Sequence, residues 1–115
     1  MKTPRQILIA ARKLIERPEC WTQNAPARTQ SGAVAKVSGQ SAVCFCSWGA
    51  VVKIDGDSSF LSDEARVAID LLTRAARDKG VAGAIRFNDT HTHPEVLAMF
   101  DTAIAAAAEG ASNGQ

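Results

Sequence analysis

Ser41-Ala42-Val43-Cys44-Phe45-Cys46-Ser47-Trp48-Gly49-Ala50-Val51-Val52 is apolar on nearly every side, and its reading decides the fold. A helix with no polar face has to sit at the centre of its domain. A buried strand through 42–46 is the rival reading, because a short apolar run does not reveal its period. The helix is preferred because it puts Cys46, Gly49 and Ala50 on one face, at helical spacing. Gly49 then costs about 1 kcal/mol relative to alanine. A closely packed neighbouring helix is the simplest compensation.

On either side of this segment the helix signals are clearer. Thr3 caps a first helix over 3–17, with Pro4 at its first position and Gln6 completing a capping box. Ile7, Leu8, Ala11, Leu14 and Ile15 form its buried stripe, and Pro18 stops it. Ser62 caps a helix running to about Lys79, with Asp63 and Glu64 where the dipole favours them and Gly80 as its stop. Thr92 caps another, with Glu95 at the reciprocal position and Val96, Leu97, Phe100 and Ile104 inward. Between these helices, 19–40 lacks helical period, and Thr29-Gln30-Ser31-Gly32 suggests a hairpin of 25–29 with 33–37. Asp55 to Ser59 reads as a turn, and Val81 to Phe87 as a short extended link. The expected fold is mainly α: four helices packed around a central apolar helix, with a small β-hairpin. Residues 1–108 form one domain and 109–115 a disordered tail.

Composition bounds the class. A chain of 115 residues buries roughly two-thirds of its unfolded surface, enough for a core without staples. Three cysteines, Cys20, Cys44 and Cys46, are an odd number, so free thiols in a reducing compartment fit better than a disulfide framework. The apolar run Ile7 to Ala11 meets Arg12-Lys13 too soon for a signal-peptide core or a membrane span. A cytoplasmic protein without a membrane anchor is expected. Residues 1–53 carry eight Lys/Arg against two acids, a net of +6, and 54–115 carry five against ten, a net of −5. Either the halves attract each other across the fold, or the basic half faces an acidic partner such as nucleic acid. The first reading is preferred, since aromatic residues do not interleave the basic half.

Few residues carry chemistry. Asn88-Asp89-Thr90-His91-Thr92-His93 holds both histidines, and if extended would line up Asp89, His91 and His93, with Cys44 and Cys46 as further ligands. Cys-x-Cys with His-x-His matches structural zinc spacing poorly, so no metal is expected and the segment reads as a loop. Cys46 with His93 as base and Asn88 or Asp89 as orienter would satisfy the logic of a thiol hydrolase. A cysteine beside Gly49 and Ala50 is more often packing. Lys79-Gly80-Val81-Ala82-Gly83 follows a helix instead of opening one, so it lacks a phosphate cradle. No cofactor motif is present. Trp48 reads as core. Trp21 reads as a lid over the first helix or an exposed interface anchor, and with Arg12, Lys13 and Arg28 it makes the candidate interaction set.

Several short pieces occur in a telling order: Ile15-Glu16-Arg17-Pro18, Trp21-Thr22-Gln23, Cys46-Ser47-Trp48-Gly49-Ala50, Asn88-Asp89, His93-Pro94-Glu95-Val96-Leu97, and Phe100-Asp101-Thr102-Ala103-Ile104. In this succession the chain resembles an uncharacterised family of small proteins from phages, prophages and actinobacterial genomes. A tryptophan often precedes Asn-Asp in that pattern, where this chain has Phe87. The family has no assigned activity, so the resemblance implies only a mobile-element setting and an intracellular role. A non-enzymatic protein-binding module is therefore expected: a phage accessory protein engaging a host protein, with inhibition of a host defence complex as one such role. A thiol hydrolase using Cys46 and His93, or a nucleic-acid binder, is the alternative.

Overall fold

The apolar segment divides between strand and helix. In the computed structural model, which describes residues 2–56 and 60–113, Cys44–Phe45 is a strand (β2) and Ser47–Asp55 a helix (α2). Cys46 stands between them with extended backbone (φ −79°, ψ 177°) and caps α2, its Sγ accepting the Gly49 N–H at 3.3 Å. This corrects the continuous helix expected from residue 42, and with it the face shared by Cys46, Gly49 and Ala50. The strand prevails at 44–45 because pairing there satisfies backbone groups that the helix would have served. Ala27–Arg28 (β1) pairs antiparallel with it, Ala27 opposite Phe45 and Arg28 opposite Cys44.

The expected hairpin is thus re-partnered. The turn at 29–32 forms, with Thr29 N–H donating to Ala33 O at 2.8 Å, but Val34 makes only an isolated bridge to Arg28. Val34 is 66% exposed whereas Phe45 is 2% exposed, so apolar burial favours Phe45 as the partner of β1.

The helices with side-chain N-caps start where their signals stand, although the first closes at Leu14, ahead of the Arg17 end expected from Pro18. Pro4–Leu14 (α1) carries the Thr3–Gln6 capping box. A 3₁₀ turn at Pro18–Cys20 follows. Asp63–Asp78 (α3) is capped by Ser62, which also donates to the Asp55 carboxylate and so ties the end of α2 to the start of α3. Asp57, Ser58 and Ser59, the rest of the expected turn between them, lie outside the described residues. His93–Asn113 (α5) starts at the reciprocal Thr92–Glu95 pair, Thr92 N–H donating to Glu95 Oε1 at 2.8 Å. Its backbone is helical past Ala108, where the tail was expected to begin.

The fifth helix is a correction. Ala84–Thr90 (α4) is helical where an extended link was expected, so Asp89 is not part of an extended ligand row. Ala84, Phe87 and Asn88, at helical spacing, are its buried face. The core gathers Ile7, Leu8 and Ile15 of the first helical region, Val51 and Val52 of α2, Leu72 of α3, and Val96 and Phe100 of α5. α1, α3 and α5 pack on one another, and α2 packs against α1, α3 and α4. Among the described residues, no helix is long and apolar enough to cross a membrane.

Candidate functional site

Asn88, a fully buried amide, sits in a ring of polar contacts. Its Oδ1 accepts from the Trp21 indole N–H at 2.7 Å and from the Ser47 backbone N–H at 3.0 Å. Its Nδ2 donates to Thr22 O at 3.0 Å and to Asp89 Oδ1 at 3.1 Å. All four hydrogen-bonding positions of the amide are filled. Gln23 adds a second tie, its Nε2 donating to the Asn88 and His91 carbonyls, both at 3.0 Å. The connector 21–24 is thereby held to α4 and to the start of α2.

The connector then turns. Asn24 adopts a left-handed backbone (φ 64°), a region asparagine tolerates better than most residues, and its N–H donates to Asp89 Oδ1 at 2.9 Å. Pro26 O receives the Cys46 N–H at 3.1 Å. Gly49 lies directly beneath: a Cβ there would overlap the Pro26 carbonyl oxygen. The close approach foreseen at Gly49 is therefore to the connector's backbone and not to a neighbouring helix.

This arrangement leaves a cleft of about 320 Å³ between the connector and helices α2 and α4. Asn24 and Pro26 form one wall, Cys46 lies at the base, and Trp48, Ile85 and Asp89 form the other side. A second hollow of about 200 Å³ adjoins it, sharing Trp48 and Ile85 and adding Ile69, Leu72 and Arg86. Ile85 is 52% exposed on the ridge between them.

A model of a family of unknown function, DUF6197, matches residues 1–106. The chain belongs to that family. No curated protein and no solved structure matches it. The short pieces of sequence that carry the resemblance converge in this DUF6197 fold: Trp21-Thr22-Gln23, Ser47 and Asn88-Asp89 meet in the ring of polar contacts, and His93 packs against Trp21 with ring centroids 5.3 Å apart and planes tilted by 45°.

The sulfur and imidazole groups do not come together. Cys46 is 4% exposed, and burial pushes its thiol above the ordinary range, with the Asp89 charge acting the same way against the Gly49 and Trp48 N–H groups. His93 Nε2 lies 2.7 Å from Ile15 O and so carries the proton that donates to it. His91 stacks on Phe87, with ring centroids 3.8 Å apart, and its Nδ1 lies 2.9 Å from Thr90 Oγ1. Cys44 donates its thiol proton to Glu19 O at 3.0 Å. Among the described residues no three His, Cys, Asp or Glu side chains converge as a metal site would need.

Three of the four residues in the expected interaction set are engaged inside the fold. Trp21 is half-buried, and its N–H is committed to Asn88. Arg12 pairs with Asp101 (Nε to Oδ1, 2.7 Å) and Glu16 (3.3 Å). Arg28 clamps its own loop through Thr22 Oγ1 at 3.0 Å and the Gly32 and Gln23 carbonyls. Lys13 is exposed. Sequence reasoning missed Asn24, Pro26, Ser47 and Ile85. The i, i+3, i+4 spacing of Ala84, Phe87 and Asn88 was the available signal for α4, and would have put Ile85 on its outer face.

Proposed function

We propose that this DUF6197 domain is a non-enzymatic protein-binding module, and that its two adjoining hollows receive a segment of a partner protein. The observation carrying this reading is the Trp48–Ile85 ridge, flanked by apolar hollows on both sides and by opposite charges at the two ends. Asp89 stands at the first hollow and Arg86 at the second, and neither forms an ion pair among the described residues. The complementary segment places two apolar side chains astride the ridge, a Lys or Arg at the Asp89 end and an Asp or Glu at the Arg86 end. Two successive anchors in a groove are how helices and short peptides are commonly recognised. The phage or prophage setting implied by the resemblance would make the partner a host protein, with a host defence complex as one target.

Other readings draw less support. A thiol hydrolase needs a base at Cys46, whose sulfur instead accepts a backbone N–H while His93 is held at Ile15 O. Arg12 and Arg28 are held within the fold, which takes two cations of the basic half from a nucleic-acid face.

Selection from a displayed random-peptide library tests the proposal. Enriched peptides should carry the basic–apolar–apolar–acidic order and lose binding to Ile85→Asp. Asp89→Asn, which keeps the Oδ1 acceptor but removes the charge, should weaken them by about threefold to fivefold, as for an exposed ion pair. Peptides that bind Ile85→Asp as well as the parent, or a selection yielding no such pattern, would overturn it.

A further inference from the structure

Two of the three thiols stand on neighbouring segments, away from the cleft base. Trp21 bridges Phe45 in parallel fashion, its successor Thr22 donating to Phe45 O at 3.1 Å. The bridge brings the residues just before its two partners close, one ending the 3₁₀ turn and the other in β2. Here they are Cys20 and Cys44. The Cys44 thiol donates to Glu19 O at 3.0 Å, which places its sulfur one peptide unit from Cys20. Both cysteines are half-buried, whereas Cys46 is buried.

We propose that Cys20 and Cys44 form a dithiol site that a peroxide oxidises to an intramolecular disulfide, leaving Cys46 reduced. One thiolate attacks the peroxide O–O bond, giving a sulfenic acid and, after proton uptake, water. The second thiolate attacks the sulfenic sulfur; the S–S bond forms, the S–O bond breaks, and the departing hydroxide is protonated to a second water. Two thiols thus lose two hydrogens while one hydrogen peroxide is reduced to two waters. Burial raises the Cys44 thiol above its ordinary range, and negative charge on Cys20 raises it further, while the Arg28 guanidinium opposes both. The bond would staple the 3₁₀ turn to β2, just ahead of the connector residues Trp21, Thr22 and Gln23 that hold Asn88.

Stoichiometric hydrogen peroxide on the folded protein, followed by acid quench, intact mass and peptide mapping, decides the matter. The expected product is lighter by two hydrogen atoms, contains a linked Cys20–Cys44 peptide, alkylates only at Cys46 after denaturation, and reverts with dithiothreitol. Cys46→Ala should still give it, and Cys20→Ser should not. An unchanged mass, oxygen adducts on single cysteines without linkage, linkage to Cys46, or linkage between two molecules would each overturn the proposal.

Discussion

Asn88 joins chain segments more than sixty residues apart in sequence, and its bonds satisfy buried and half-buried groups. Truncating it would strand the Trp21 indole N–H, the Ser47 N–H and the Thr22 carbonyl together. A buried polar group left without its partner costs about 1–3 kcal/mol. Asn88→Ala is therefore expected to lose about 3 kcal/mol or more in urea unfolding, with its midpoint lowered accordingly. Asn88→Asp should not rescue it: the acceptor survives, but the donors to Thr22 O and Asp89 are lost and a second carboxylate is placed beside Asp89. A loss below about 1 kcal/mol for Asn88→Ala would mean that water replaces the amide at little cost.

At the scale of elements, the start of α2 depends on a residue that looks unfavourable in isolation. Glycine inside a helix is worse than alanine by about 1 kcal/mol, yet at Gly49 any Cβ would meet the Pro26 carbonyl. Gly49→Ala should therefore destabilise by about 2 kcal/mol, the ordinary cost of overpacking, despite the gain in propensity. Thermal unfolding of this variant reads the sign directly. The same junction explains what could and could not be read beforehand. α1, α3 and α5 were legible because side-chain caps and apolar stripes agree on each. The segment around Cys46 was ambiguous because an unbroken apolar run fits strand and helix alike, and it contains both. α4 was hidden by its seven-residue length and by Gly83 at its start, which offers no side-chain cap. Of the candidate site, Trp21, Cys46, Asn88 and Asp89 were singled out, but not the contacts that join them. A bond such as Trp21 to Asn88 leaves no local periodic trace.

Across the whole molecule, the division of charge is partly internal. Arg12 of α1 reaches Asp101 of α5, joining the basic first half to the acidic second half. Such a partly exposed pair contributes modestly, about 0–1 kcal/mol, so apolar packing of α1, α3 and α5 carries the stability. Around that core, the connector from Trp21 to Pro26 has little regular structure, and only its ties to Asn88, Asp89 and Cys46 make it a fixed wall for the cleft. Native-state hydrogen exchange at the Trp21 indole N–H and the Ser47 and Asn24 amides measures that fixity. If the wall is preformed, these protons exchange with opening free energies close to those of the core amides of α3 and α5. Exchange at the rate of a locally open loop, while α3 and α5 stay protected, would contradict it.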